Sequence, residues 1–390
     1  MKNTKKFILT MIAVMAMVVL AACGGNSSSS SDNDNGNNNG GGSGETVSAN
    51  IGVVSFMTGS GAAYGEAITN GLKLAQEELN EAGDVNIELL IEDSAGEADQ
   101  ALSAAQKLMN SEDIVGLIGP TLSTEFEVVA PVADQNGIPI LGTSVTAEGI
   151  PQIGDYVFRD SIPETLAIPA SVEKAADEVD AKTVALLYGN DDVFTKAGYD
   201  AMKAAAEELD LEVVTTETFQ QGQSDYKAQL SKIKQADPDL VLASALYNEG
   251  AVLMKQARSM GIDVPFVGGN GFNSPQVIEI AGDDADGLVV ATPWFTDSDD
   301  ERVQAFVEKY TEEFGKAPDQ FAAQAYDGLY IMADALKRAG DADSEKLREA
   351  LLETQDFEGI LGTMSFDEEG DIVMDPIVLT IKDGKFVEME

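Results

Sequence analysis

From Val47 onward, short apolar runs alternate with stretches in which apolar residues recur every three or four positions. Residues 50–55 predict a strand, and 68–80 predict a helix with Ile68, Leu72, Ala75 and Leu79 on one face. Residues 87–91 predict the next strand. In 97–110, Ala98, Ala101, Leu102, Ala105, Leu108 and Met109 fall at helical spacing. Strand 114–118, a helix opening after Ser123 and strand 138–141 complete this series. A second series places strands at 184–187, 211–215, 240–243 and 265–267, separated by helices near 196–209, 226–235 and 249–260. Strands alternating with helices predict parallel, doubly wound α/β sheets. The segments 137–142 and 261–268 echo one another, so two similar lobes are expected. The 344 residues from Val47 to Glu390 exceed what one core usually holds.

After strand 288–291 the pattern predicts helices at 299–314, 320–338 and 344–353, then a terminal strand pair around 362–366 and 377–381. Proline-bearing, partly extended segments at 160–163, 292–294 and 375–376 are candidate places for the chain to cross between lobes. Proline is equally ordinary loop punctuation.

The amino terminus has a different pattern. Lys2, Lys5 and Lys6 precede an uncharged run over 7–20, the layout of a secretory signal peptide. The run is shorter than the roughly 20 apolar residues that span a bilayer. Leu20-Ala21-Ala22-Cys23, followed by Gly24 and Gly25, resembles the lipobox of bacterial lipoproteins. That resemblance implies a signal peptide over 1–22, a lipid on Cys23 and an extracytoplasmic, membrane-anchored protein; an ordinary cleaved signal fits the same cut pattern. Residues 24–46 are almost entirely Gly, Ser, Asn and Asp, a composition expected to act as a disordered tether of roughly 25 Å root-mean-square reach.

Charge and composition narrow the function. Removing residues 1–22 takes away three lysines and no acid, moving the net charge from −44 to −47. Such a surface repels nucleic acid and anionic headgroups. The acids are scattered along the chain, as on a solvated face or on a protein adapted to a salty or alkaline medium. The absence of histidine excludes Ser-His-Asp and Cys-His nucleophile sites and HExxH zinc sites. One cysteine allows no internal disulfide and no thiolate metal cage. No catalytic residues, cofactor or metal are therefore expected.

Several motifs lie just beyond predicted strands, where open α/β sheets bind ligands. Gly119-Pro120-Thr121-Leu122-Ser123-Thr124 opens a helix, so its free N–H groups and the Ser123 hydroxyl suit a carboxylate. Thr124 with Glu127 also fits a plain capping box. Gly142-Thr143-Ser144-Val145-Thr146 follows the next strand, and Gly268-Gly269-Asn270-Gly271 is a similar exit in the second lobe, with Asn273 or Ser274 as a helix cap. Gly59 to Gly65 approaches a dinucleotide fingerprint, but Tyr64 takes the third glycine's place, and no phosphate-loop motif occurs. The acidic stretch 283–287 lacks the flanking ligands of a calcium loop and reads as a turn. Trp294 and Tyr247 are candidate pocket walls or core aromatics.

Taken together, Ile51 to Gly59 with Tyr64-Gly65, Gly116 to Pro120 with Ser123, Pro139 to Ser144 with Thr146, Lys255 to Arg258, Gly268 to Gly271 with Ser274-Pro275, and Phe321 to Gly328 carry a resemblance. In order and spacing they resemble the solute-binding proteins of branched-chain amino acid ABC transporters, over essentially all of 47–390. The resemblance implies a type I periplasmic binding protein fold, with two Rossmann-like lobes joined by three crossover segments. It divides the chain into 47–161 plus 292–374 and 162–291 plus 375–390. It also implies a monomer that binds a small-molecule ligand and delivers it to an ABC permease with ATPase subunits; the alternative is an extracellular sensing module that passes ligand occupancy to a signalling partner.

Carried over by position, Ser123 and the Thr146 backbone would receive a ligand carboxylate. The Ser144 carbonyl and Thr146 hydroxyl would take an α-ammonium. Tyr64 would line the pocket from one lobe, and Phe194, Tyr247 and Asn270 from the other. Asn270 stands where relatives commonly place an acid for the ammonium, and Phe194 where they often have tyrosine. Either another acid such as Glu249 or Asp327 substitutes, or the ligand is an amide, a urea-like compound or an organic acid.

Overall fold

The structure, a computed structural model, describes residues 46–389. The expected signal peptide, Cys23 and nearly all of the expected tether lie outside the described residues. In chain order the first elements are β1 (Val47–Ser55), α1 (Ala62–Ala82), β2 (Val85–Asp93), α2 (Ala98–Ser111), β3 (Ile114–Ile118), α3 (Ser123–Gln135), β4 (Ile140–Gly142) and β5 (Val157–Arg159). There follow α4 (Glu164–Val179), β6 (Thr183–Gly189), α5 (Val193–Glu208), β7 (Glu212–Phe219), α6 (Lys227–Ala236), β8 (Leu240–Ser244), α7 (Tyr247–Ser259), β9 (Phe266–Gly268), α8 (Gln276–Ala281) and β10 (Leu288–Thr292). The last are α9 (Glu301–Phe314), α10 (Gln320–Ala339), α11 (Ser344–Leu352), β11 (Phe357–Gly359), β12 (Gly362–Phe366), β13 (Ile372–Val373), β14 (Ile377–Lys382) and β15 (Lys385–Glu388).

One sheet is parallel throughout, in the order β2-β1-β3-β4-β5. The other runs β15-β14-β10-β9-β8-β6-β7, with β14 and β15 antiparallel at one side. Without those two, both sheets share one strand order, and in each the order reverses beside the first strand. That reversal opens a crevice at the carboxyl ends, the place where such sheets take ligands. Strands β3, β4, β5, β8, β9 and β10 are buried at every residue. Helices covering both faces of a parallel sheet account for such continuous apolar runs.

The chain leaves the first sheet after β5, returns to that lobe after β10 and crosses again between β13 and β14. Three crossovers therefore join two α/β lobes. In the first lobe α10 packs closely on α1: a Cβ at Gly71 would stand 2.2 Å from the Ala322 carbonyl oxygen. This close approach seats the start of α10 against the middle of α1, and the Phe321 ring reaches Tyr64 near the start of α1. Aspartates cap the incoming helices, as where Asp192 accepts from Thr195 N–H at 2.8 Å and Asp319 from Ala322 N–H at 3.1 Å.

The short strands β5, β11, β13 and β15 are not expected from the sequence, and the fold departs from the expectations most at two places. Residues 164–179 form α4, to which the sequence reading assigned no element; Pro163 and Pro169 obscure a buried face of Ala167, Ile168, Val172, Ala175 and Ala176. The expected pairing of 362–366 with 377–381 does not form. Instead β12 pairs with β11 and β13 in a small antiparallel sheet, while β14 pairs with β10. The crossover at Asp375 and Pro376 separates the two, and β14 covers an edge that β10 would otherwise leave open. The stretch 283–287 forms a short turn.

Candidate binding site between the lobes

The turn after β3 requires glycine, because Gly119 has φ +83° and a Cβ there would stand 2.2 Å from the Val54 carbonyl oxygen. The turn carries Thr121, Leu122 and Ser123 to the carboxyl edge, where the loop after β4 meets them. Ser144 Oγ donates to the Thr121 carbonyl at 2.7 Å, and Ser123 Oγ accepts from Ala147 N–H at 3.3 Å. Arg159, 1% exposed, donates to the Ala147 carbonyl at 2.6 Å while its Nε–H bonds Asp371 Oδ1 at 2.9 Å. Ser161 Oγ holds the Val145 carbonyl at 2.7 Å. Among the described residues, the Ser123 and Thr146 N–H groups and the Ser144 carbonyl are left without a partner. Two donors and an acceptor thus stand together at the crevice.

The second lobe presents Phe194 at the start of α5, Leu246 and Tyr247 before and at the start of α7, and Asn270 after β9. Together with the first lobe these residues enclose a cavity of about 20 Å³, lined by Tyr64, Ser123, Ser144, Phe194, Leu246 and Asn270 among others. That volume holds about one water. The lobes are therefore closed on each other, and Tyr64 bridges them. Its ring meets Tyr247 edge-on at 4.8 Å and Phe321 at 4.7 Å. Its hydroxyl donates to the Gly271 carbonyl at 2.5 Å and accepts from Tyr247 N–H at 2.8 Å. Burial pushes the Tyr64 phenol well above its ordinary pKa, against the lowering bond from Tyr247 N–H, so the donor proton stays in place.

Three further bonds cross the cleft. Thr124 Oγ1 donates to Asp192 Oδ2 at 2.6 Å and accepts from Val193 N–H at 3.0 Å, so this residue serves closure and not helix capping. The cap of α3 is made by Glu125, whose Oε2 accepts from Leu122 N–H at 2.9 Å. The expected Thr124 and Glu127 box is displaced because the helix begins at Ser123. Gln320 Nε2 of α10 donates to Asn270 Oδ1 at 2.5 Å.

The sequence reading did not single out Glu164, at the start of α4. It is 1% exposed, and its Oε1 accepts from Asn270 N–H at 2.9 Å and from Thr146 Oγ1 at 3.3 Å. Its Oε2 has no partner among the described residues. Burial pushes its carboxyl up to about 7, against the lowering effect of those two bonds. The acids named from the sequence are placed elsewhere. Asp327 accepts from Ile360 N–H at 3.1 Å and Leu361 N–H at 2.8 Å, fixing β11 to α10 within the first lobe, and does not line the cavity. Glu249 accepts from Gly222 N–H at 3.0 Å and is likewise absent from the lining.

Of the expected site residues, Tyr64, Ser123, Ser144, Phe194 and Asn270 line the cavity directly. Thr146 contributes through Glu164, and Tyr247 packs behind Tyr64. Trp294 walls a different cavity of about 260 Å³ near the crossover after β10, with Tyr310, Lys316, Asp319 and Gln320.

Two α/β lobes of one strand order, closed on a cavity at their carboxyl edges, define a two-lobed cleft-type binding protein. The chain belongs to the periplasmic binding protein family, whose model matches residues 48–385. It is similar to the leucine-, isoleucine-, valine-, threonine- and alanine-binding protein of Pseudomonas aeruginosa, with 28% identity over 81% of this chain and 85% of that protein. Among solved structures it resembles the substrate-binding protein LivJ of the Streptococcus pneumoniae branched-chain amino acid transporter, in complex with isoleucine. That likeness has 30% identity and a TM-score of 0.82, covering 88% of this chain and 100% of LivJ. The leucine-binding protein LivK of Thermotoga maritima is similar at 28% identity and TM-score 0.82, covering 88% and 98% of the two chains.

Proposed function

We propose that this protein is the extracytoplasmic receptor of an ABC transporter, capturing an amino acid of branched-chain type, or a close derivative, between its lobes. It acts by binding and release, with no bond made or broken in the solute. The observation that carries the reading is a free Ser123 N–H group and a free Ser144 carbonyl at one cavity, walled by Tyr64, Phe194 and Leu246, with the free Thr146 N–H on the loop beside them. The two N–H groups suit a carboxylate at the helix start, the carbonyl and the Thr146 hydroxyl suit an ammonium, and the apolar wall suits a hydrocarbon side chain. The names and bound solutes of its relatives support the same class.

In this reading residues 47–161 and 292–374 form one lobe and 162–291 and 375–390 the other. They part to admit the solute and close on it, a hinge equilibrium biased by the solute's preference for the closed state. A lipid on Cys23 and the segment 24–46 keep the monomer beside its permease. The test is a thermal-shift panel of amino acids, amides and small organic acids. A bound solute at 100 times its dissociation constant adds about 2.7 kcal/mol of stability, so at least one branched-chain amino acid should raise the midpoint. A panel that leaves the midpoint unmoved contradicts the reading.

A further inference from the structure

We propose that the cavity beside the crossover after β10, walled by Trp294, is a second binding site for a small organic cation, and that filling it favours the closed form. Its volume is about 260 Å³, against about 20 Å³ for the cavity between the lobes. Drug-sized ligands occupy roughly 300–1,000 Å³, so its occupant is small. Four aromatic rings line it, Trp294, Phe295, Tyr310 and Phe386. Trp294 and Tyr310 are buried, and Phe306 meets the Trp294 ring edge-on at 5.9 Å, holding it as a fixed wall. Aromatic rings attract a cation through the negative charge of their faces, most of all where water is excluded. Two carboxylates, Glu279 and Asp319, share the lining, and neither has an ion-pair partner among the described residues, whereas Lys316 of the same wall is bound to Glu66 at 2.8 Å. Burial pushes the Asp319 carboxyl up to about 6, against the N–H bonds of α10 and the nearby Lys316. On a chain of net charge −44 an anion is repelled, and no group of three or more potential metal ligands occurs among the described residues. A cation whose charge is spread over alkyl groups fits both the rings and the acids.

The starts of α1 and α10 form a partition between this cavity and the one between the lobes. Ala63, Ala67 and Gln320 line the first, and their neighbours Tyr64 and Phe321 line the second. Gln320 joins the two: its Oε1 accepts from Thr292 Oγ1 at 2.7 Å, and its Nε2 donates across the cleft to Asn270 Oδ1 at 2.5 Å. The walls come from both lobes, with Tyr310 and Asp319 on one side and Glu279 and Phe386 on the other. A molecule that fits them as they stand therefore biases the hinge toward this closed arrangement. Through the same linkage it tightens the binding of a solute in the cleft, as the receptor reading has it.

Trp294 is the single tryptophan of the chain, so its emission reports on this cavity. The probe is choline chloride, titrated into the intact mature chain, with sodium chloride as the ionic-strength control and neohexanol, the uncharged carbon analogue of choline, as the charge control. Choline should change the emission saturably and bind about 10-fold more tightly than neohexanol, the scale of a desolvated cation against aromatic rings. Asp319→Asn removes the charge but keeps a side chain able to cap α10; it should weaken choline by about 2- to 5-fold and leave neohexanol unchanged. If that variant does not fold, Glu279→Gln, at an exposed position, should act in the same direction. Saturating choline should also lower the radius of gyration in small-angle scattering. No saturable change beyond that of sodium chloride, equal binding of choline and neohexanol, or equal losses for both in the variant overturn the cation site. A radius that stays the same or grows with choline bound overturns its link to closure. None of these readouts uses a solute in the cleft, so they stand or fall apart from the receptor reading.

Discussion

Tyr64 donates its phenolic proton to the Gly271 carbonyl at 2.5 Å, a bond that joins the first helix of one lobe to the strand exit of the other. With the acceptor bond from Tyr247 N–H, it makes this one side chain a latch across the cleft. Each neutral hydrogen bond contributes about 1 kcal/mol net. Tyr64→Phe should therefore shift the unliganded protein toward open forms, visible as a larger radius of gyration in small-angle scattering. An unchanged radius would show that the aromatic contacts alone hold the lobes together.

Ser123 ties the two first-lobe loops by accepting from Ala147 N–H. Ser123→Ala removes that bond and the hydroxyl proposed to meet a ligand carboxylate. Affinity for a carboxylate-bearing ligand should fall by about 10-fold, at the scale of one bond to a charged group, while affinity for the matching amide falls less. Titration of the acid and amide forms against both proteins reads this out, and equal losses would remove Ser123 from the anion site.

Gly71 sets the spacing of α1 and α10, and with it the placement of Tyr64, Gln320 and Phe321. A methyl group there meets the Ala322 backbone, which cannot turn aside as a side chain does. Gly71→Ala should destabilise the fold by about 1–3 kcal/mol, as overpacking commonly does. A midpoint at or above the wild-type value in thermal unfolding would contradict this packing.

Stability should depend on pH in a stated direction. Burial pushes Glu164 and Asp327 up to about 7, and Asp160, buried beside Asp327, well above its ordinary range. Such groups bind protons in the folded state that they lose in the unfolded chain, so their stabilising effect is full at acid pH. It fades as pH rises from the ordinary carboxylate range through 7. Glu78 has the opposite sign: burial raises it, but bonds from Lys309, Tyr326 and Tyr330 outweigh that, and its contribution is lost only as pH falls below the carboxylate range. The melting midpoint should thus be higher near pH 5 than near pH 8, and Glu164→Gln should flatten part of the slope. A midpoint rising steadily from pH 5 to 8 would contradict it.

Much of this architecture was legible from periodicity, since fully buried strands such as Ile114–Ile118 and Leu240–Ser244 read as unbroken apolar runs between helical stretches. Ser123, Ser144 and Asn270 were visible as polar residues at strand exits. What escaped were pairings between distant segments. Thr124 reads locally as a cap, yet its hydroxyl is engaged by Asp192, 68 residues away. Glu164 was hidden twice, by the prolines that obscure α4 and by the 106 residues separating it from Asn270. Asn270 lines the cavity, but its side-chain oxygen is engaged by Gln320, 50 residues away.

The central claim is that the two lobes close on one small solute and return it unchanged. Calorimetric titration of the intact mature chain with leucine, isoleucine and valine, followed by recovery of the solute, measures this directly. The account predicts saturable binding of one molecule per chain and recovery of the same compound. Heat-silent titrations with no shift in melting midpoint, or recovery of a chemically altered product, would contradict it.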